Sequence, residues 1–305
     1  MHEPIVLRKD RNNFAGSTRA LLELFKLRMT FHILTTTVAG FYMASGDVFD
    51  WALLGWTWLG TGLLAVSAFC FNQAIEKKHD AVMERTQKRP LPSERLGLSA
   101  AYIAGALTCA LGTALLLTHV NLLTAALGVI TVVLYAAVYT PLKRVTTFNT
   151  LVGGIPGALP PLMGWTAAQN DIGMGGLLLF VLLFFWQLPH FLALAWMYKD
   201  DYRRGGFRML SLVDESGETC FRQIWIQSLL LLLVSLLPAV AHPPMAGGYY
   251  MVTALLAGAM LLVLAHRLRK TKTRKAAVHV FLCSLAYLPI LLLAMAIDKH
   301  HFFFG

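Results

Sequence analysis

Phe71-Asn72-Gln73-Ala74-Ile75-Glu76-Lys77-Lys78-His79-Asp80-Ala81-Val82-Met83-Glu84-Arg85-Thr86-Gln87-Lys88-Arg89-Pro90 follows a long apolar run and stops at Pro90 and Pro92, which cannot continue a helix. Within it Asn72, Glu76, Asp80 and Glu84 recur every four residues. Four residues overshoot a helical turn by roughly 40°, so the four make one slowly drifting stripe. Acidic side chains at this spacing repel one another by about 0.2–0.5 kcal/mol per pair, so the stripe needs counter-ions. These are either its own Lys77, Lys78 and Arg85, on a solvated helix end, or a metal. Its place at the mouth of a membrane helix favours a site, with Asp80 facing the surface.

The 305 residues are 57% hydrophobic and 14% charged. A soluble domain carries about 25% charged residues, so the composition is that of a membrane protein. A net charge of +10 would suit nucleic acid, but its distribution excludes that partner. Apolar runs able to cross a bilayer (about 20 residues each) recur at approximately 24–45, 51–75, 99–117, 121–140, 149–168, 174–197, 222–241, 248–266 and 276–297. Of the 26 Lys and Arg residues, all except Lys299 fall on one side of this alternation. Positive charge stays cytoplasmic, so the N-terminus is expected inside and the C-terminus outside. The fold expected is therefore all-α and polytopic, with nine transmembrane helices. Residues 1–23 form a cytoplasmic tail on anionic headgroups, and 24–305 form one domain with cytoplasmic loops at about 76–98 and 198–222. The first 20 residues lack the apolar core of a signal peptide, which favours a bacterial cytoplasmic membrane. Cys70, Cys109, Cys220 and Cys283 are scattered and read as free thiols.

Other segments carry less. Lys26 and Arg28 stand at the entrance of the first span, where their side chains can snorkel to the interface. Asn121 reads as surface, as do Asp214 and Glu218. Gly153, Gly154, Pro156, Pro160 and Pro161 interrupt the fifth span, which is expected to break, either lining a cavity or packing through a kink. The basic residues from Arg267 to Lys275 read as a membrane-surface signal, and His300 to Phe304 lie at the opposite interface.

A second acidic pair, Asp200 and Asp201, stands at the end of the sixth span among arginines. Two carboxylate-bearing segments then face the same side of the membrane. Carboxylate oxygens together with substrate phosphates suit Mg²⁺, and Lys and Arg can clamp the remaining phosphate oxygens. Beside an apolar interior this describes a place for a diphosphate with a greasy tail. No Walker-type glycine loop, Ser/His/Asp arrangement or H-E-x-x-H occurs, which excludes NTPase-type phosphate chemistry.

Asn72-x-x-x-Glu76-x-x-x-Asp80 resembles the first aspartate-rich motif of the UbiA superfamily of intramembrane prenyltransferases. Met83-Glu84-Arg85-Thr86-x-x-Arg89-Pro90-Leu91, Tyr139 to Arg144, Asn149 to Trp165, Pro189-His190-Phe191, and Asp201-Tyr202 with Met209-Leu210 are similar to the branch that farnesylates heme. The resemblance runs from Lys26 to the ninth span. It implies nine helices around a central cavity, a diphosphate site under a cytoplasmic cap, and transfer of farnesyl from farnesyl diphosphate to a vinyl group of heme b, giving heme O. Carried over by position, Asn72, Glu76 and Asp80 would hold Mg²⁺ on one side of the diphosphate, and Asp201 with Asp200 on the other. Arg85, Arg89, Lys143 and Arg144 would bind diphosphate oxygens, with Tyr202 beside them. His190 and Trp186 are candidates for the porphyrin pocket, a structural histidine beside Pro189 being the alternative. Implied partners are the lipid bilayer, farnesyl diphosphate and heme b, with a heme A synthase or terminal oxidase assembly as further candidates.

Two departures stand out: Glu76 where the motif more often has Asp, and Arg208 where Pro commonly precedes Met-Leu. Gly205 also stands four residues after Asp201, so the second motif lacks a D-x-x-x-D spacing. Competing functions are prenyl transfer to an aromatic or quinone precursor, and a non-catalytic heme-binding or transport protein. The heme-branch signatures oppose the first, and the absence of an internal repeat opposes the second.

Overall fold

The computed structural model describes residues 14–299, which place the tail's Arg8, Lys9 and Arg11 and the terminal His300 to Phe304 outside the described residues. The described residues are helical, without a named strand: α1 Phe14–Leu24, α2 Leu27–Ala44, α3 Trp51–Asp80, α4 Leu98–His119, α5 Leu122–Val133, a π-helical turn Leu134–Tyr139 running into α6 Thr140–Leu142, α7 Asn149–Gln169, α8 Gly173–Met197, α9 Lys199–Arg204, α10 Glu218–Val240, α11 Gly248–Thr271 and α12 Arg274–Ile297. Each of the nine expected windows holds a helix, and seven helical stretches among the described residues are long and apolar enough to cross a membrane. Helices α2 and α7 are not among the seven. Arg28, His32 and four threonines dilute α2, and glycines and prolines dilute α7.

Successive helices pack side by side: α3 on α4, α5 and α2 on α7, α7 on α8, α8 on α10 and α12, and α11 between α10 and α12. A contact between α12 and α2 joins the last helix to the first of these. Lys299 reinforces that junction by donating from Nζ to the carbonyls of Tyr42 and Ser45 at 2.7 and 2.6 Å.

Local chemistry explains several boundaries. The Asp50 carboxylate accepts from Leu53 N at 2.9 Å and starts α3, and Thr273 Oγ1 starts α12. Asn121, expected at the surface, instead caps α5 through Thr124 N and reaches the Thr166 carbonyl of α7 at 2.8 Å. Asp214 is also more than a solvated loop residue. Its carboxylate accepts from Ser216 Oγ and from the backbone N–H groups of Glu218 and Thr219, anchoring the start of α10. Glu218 pairs with Arg269 in the last turn of α11 and with Lys272 just after it.

Residues 14–24, expected within a polar tail, form α1, which buries Ala20 and Leu24. Gln73 of α3 holds the end of α1 by donating to the Leu24 carbonyl at 2.6 Å.

The expected break in the fifth span is absent. α7 is one continuous helix through Pro156, Pro160 and Pro161, and most of its residues are buried. Its glycines serve packing. A Cβ on Gly164 would lie 1.9 Å from the Thr37 carbonyl oxygen of α2, and one on Gly40 of α2 would lie 1.9 Å from the Pro161 carbonyl oxygen. The two backbones therefore touch, as small residues permit in membrane bundles.

The length of α3 positions the site. Its 30 residues span about 45 Å, against a hydrocarbon core of about 30 Å. A crossing that starts at Trp51 is complete near Phe71, so the turns carrying Asn72, Glu76 and Asp80 extend beyond the apolar slab.

Two outcomes follow. Gly164→Ala should destabilise the protein by about 1–3 kcal/mol, since backbone must move to admit the methyl group. Gly55→Ala, where nothing lies within 4 Å, should be neutral or stabilising. Thermal melting of the two variants in detergent checks this. The Asp214 carboxyl is held down at about 2, first by the Thr219 hydrogen bond. Its folded value is depressed, so its stabilisation is present above about pH 4 and lost as pH falls toward 2. Asp214→Ala should cost about 1 kcal/mol at pH 7, and the gap from the parent should close over that acid window.

Candidate active site

The stripe on α3 faces inward. Asn72, Glu76 and Asp80 are 2%, 5% and 1% exposed, so Asp80 does not face the surface. Glu84 lies beyond the helix end and is exposed. Counter-ions come from elsewhere in the chain, not from Lys77, Lys78 and Arg85. Asn72 Nδ2 donates to Thr140 Oγ1 at 3.0 Å, Glu76 Oε1 pairs with Lys143 Nζ at 2.7 Å, and Asp80 Oδ2 pairs with Arg89 at 2.6 Å. The second oxygen of Asp80, Oδ1, is buried and has no protein partner.

The α5–α6 stretch delivers Thr140 and Lys143. Pro141 lacks an N–H for the Ala137 carbonyl, and the chain widens into the π-helical turn just before it. Thr140 Oγ1 donates back to the Tyr135 carbonyl at 2.8 Å while accepting from Asn72. Lys143 Nζ lies 4.5 Å from the centre of the Tyr139 ring. Burial opposes the Lys143 charge, but Glu76 holds the ammonium protonated, above the ordinary lysine range.

The second acidic segment is clasped to the first. Asp201 Oδ1 accepts from Glu84 N at 2.9 Å and from Arg204 at 2.6 Å, and Arg204 also pairs with Glu84 at 2.8 Å. Burial would raise the Asp201 carboxyl, but Arg204 and the backbone N–H groups of Glu84 and Arg85 hold it below its ordinary value. His79 adds a second clasp through the Gly205 carbonyl at 2.9 Å and Arg144 at 3.1 Å. Arg85 lies over the rings of Tyr198 and Tyr202, at 5.3 and 5.9 Å. Arg208, the departure from the family's proline, donates its N–H to the Lys143 carbonyl at 2.7 Å, which proline would forbid.

Not every expected residue converges. Asp200 is exposed and turns to Arg203 at 3.4 Å, away from this arrangement. Among the described residues no three His, Cys, Asp or Glu side chains form a metal-binding group. Trp186 and His190 lie in the seam between α8 and α12: Trp186 Nε1 donates to the Ser284 carbonyl at 2.7 Å, and His190 Nδ1 bonds Ser284 Oγ at 2.8 Å. The His190 ring also stacks between Trp186 and Phe281, at 5.1 and 4.7 Å. These contacts fix the orientation of both rings within the seam.

Thr140 and His79 were not singled out in the sequence. Thr140 had a local signal, a hydroxyl directly before a proline at a helix end. His79 depends on chain segments far apart in sequence.

Lys143→Met should destabilise the protein by about 3–5 kcal/mol, because it leaves Glu76 buried and unpaired. The double variant Glu76→Gln/Lys143→Met should recover most of that loss. Denaturation midpoints of the three proteins test the coupling.

The sequence matches the UbiA prenyltransferase family over residues 33–294. A protoheme IX farnesyltransferase of Solibacter usitatus (strain Ellin6076) is 39% identical over 290 residues, covering 92% of this chain and 99% of its own. Among solved structures, a digeranylgeranylglyceryl phosphate synthase superposes with a TM-score of 0.76 at 16% identity, over 92% of this chain and 98% of its own. A UbiA homologue from Archaeoglobus fulgidus bound to GPP and Mg²⁺ superposes with a TM-score of 0.61 at 12% identity, over 90% and 99%. With the family match covering most of the chain and this identity sustained along its length, the protein belongs to the UbiA prenyltransferase family.

Proposed function

We propose that this chain transfers the farnesyl group of farnesyl diphosphate to a vinyl group of heme b, giving heme O and releasing diphosphate. The observation that carries the chemistry is the buried face Asn72, Glu76 and Asp80 at the end of an apolar bundle, with Asp80 Oδ1 unpartnered. The acceptor rests on the relatives: the Solibacter protein is named for this reaction and matches nearly end to end.

These residues fit Mg²⁺. A magnesium site uses one or two carboxylates and completes its shell with water and substrate phosphates, so a three-carboxylate cage is not required. Asp80 Oδ1 is a buried carboxylate oxygen with no protein partner, and Glu76 and Asn72 stand about one and two turns before it on the same helix face. Asp201 would serve from the opposite segment. The Archaeoglobus homologue, which holds Mg²⁺ with a prenyl diphosphate, supports this assignment. When bound, the metal would neutralise charge on the departing diphosphate.

Lys143 and Arg89 are the cations nearest the acidic face and would exchange part of their pairing for diphosphate oxygens. Exposed Arg85 and Arg144 would receive the diphosphate at the mouth. The C1–O bond of the donor breaks and its electron pair leaves with diphosphate. The heme vinyl π pair forms the new carbon–carbon bond to the allylic cation. Water adds to the resulting cation and loses a proton, which completes the hydroxyethylfarnesyl side chain. Trp186 Nε1 and His190 Nδ1 brace the α8–α12 seam through Ser284, and the two rings remain the candidates for the porphyrin pocket in this scheme.

In this reading the protein lies in a bacterial cytoplasmic membrane, with nine crossings around a central cavity and the N-terminus and both active-site loops cytoplasmic. Residues 24–305 act as one domain. The one-sided distribution of Lys and Arg supports this topology. A heme A synthase or terminal oxidase assembly is the class of partner that would take the product.

The test is turnover of purified protein with heme b, farnesyl diphosphate and Mg²⁺, read by mass spectrometry and repeated with EDTA. A heme product heavier by farnesyl plus water, lost with EDTA, is expected. Transfer to a quinone precursor alone would remove heme as acceptor. Asp80→Asn preserves shape while removing the anionic oxygen, and should lower turnover by about 100-fold or more with the protein still folded. Near-parental turnover in that variant would sink the metal assignment.

A further inference from the structure

Lys26 does not snorkel outward as its position at the first span suggested. It is half-buried, and its Nζ lies 4.9 Å from the centre of the Phe69 ring on α3. Among the described residues it forms no ion pair and no side-chain hydrogen bond. Phe69 stands about one turn before Asn72 on α3, on the helix face that Glu76 and Asp80 continue. The charges of that face already pair, Glu76 with Lys143 and Asp80 with Arg89. Lys26 is the positive charge left over.

Its backbone is also unusual. Lys26 has φ 48° and ψ 48°, a left-handed conformation disfavoured for a residue with a Cβ. The surroundings enforce it. Leu24 is fully buried and tied to Gln73, while the Phe25 carbonyl accepts from Thr30 Oγ1 at 3.2 Å and the Lys26 carbonyl accepts from Met29 N at 2.8 Å. A glycine would meet this geometry without strain. The chain instead carries a lysine, whose ammonium rests on an aromatic face beside the acidic site, a weak partner for a desolvated cation.

We propose that Lys26 is a further substrate-binding residue, whose ammonium leaves the Phe69 ring to contact an oxygen of the prenyl diphosphate. This rests on the diphosphate site proposed above and names the α1–α2 elbow as the part that aims the added cation. A trianionic diphosphate supplies the negative charge that the protein withholds from Lys26.

Lys26→Gly separates the two roles, because it keeps the left-handed backbone while removing the side chain with its amine. It should melt at or above the parent temperature. It should also raise KM for farnesyl diphosphate and the dissociation constant of Mg²⁺-pyrophosphate by about tenfold or more, the weight of one charged hydrogen bond. KM for heme should stay within about twofold, and Lys26→Arg should recover much of the loss. Unchanged pyrophosphate affinity in Lys26→Gly would overturn the proposal, as would Lys26→Arg behaving like Lys26→Gly. A destabilised Lys26→Gly with both substrates affected equally would assign the lysine to the fold instead. Pyrophosphate calorimetry also separates this inference from the choice of acceptor. If the parent does not farnesylate heme but binds pyrophosphate more tightly than Lys26→Gly does, the Lys26 assignment stands and the acceptor falls. A parent that binds no pyrophosphate overturns both.

Discussion

Buried charge must be compensated, and that constraint organises this protein. Glu76 and Asp80 are almost inaccessible, and an unpaired carboxylate in such a place would neutralise or unfold its surroundings. Their partners, Lys143 and Arg89, come from the end of α6 and from the loop after α3. Each pair therefore fastens a connecting segment to the helix that carries the acid. The loop at 81–97 is further clasped to α9 through Asp201, Glu84 and Arg204. The same charges that would bind a diphosphate hold its walls together.

This arrangement needs a rigid base. α3 supplies it by running past the apolar slab as one uninterrupted helix, so that three acid-face positions are set by helical geometry alone. Around it the bundle is drawn close by small residues. The backbones of α2 and α7 approach at Gly40 and Gly164, and the prolines of α7 are absorbed within a continuous helix. The irregular backbone is concentrated at the site: a π-helical turn before Thr140, and a left-handed lysine at the α1–α2 elbow. Such departures persist where surrounding contacts over-determine them.

Much of this was legible from residue order. Apolar runs of membrane length, the one-sided basic residues and the i,i+4 stripe all depend on near neighbours along the chain, and the helices appear in the expected windows. The site was legible in part. Asn72, Glu76 and Asp80 do share a buried face, and Lys143 and Arg89 do reach it. Asp200 does not, because it leaves the clasp that Asp201 joins one position later. His190 was ambiguous because a proline-flanked histidine carries no mark distinguishing a ligand from a packed ring. Ser284, 94 residues away, is what engages it.

By itself, then, the sequence determined an all-helical membrane protein with an acidic helix end, since hydrophobic length and helical period are properties of a single segment. Only the tertiary structure decided which cation meets which carboxylate. Lys77 and Lys78 were nearest in sequence, yet Lys143, 67 residues from Glu76, is the partner. A buried ion pair is chosen by which charged groups are desolvated together, and that depends on how distant helices pack. The same reason left Asp80 Oδ1 without a partner and turned Lys26 inward, two features that no spacing along the chain could reveal.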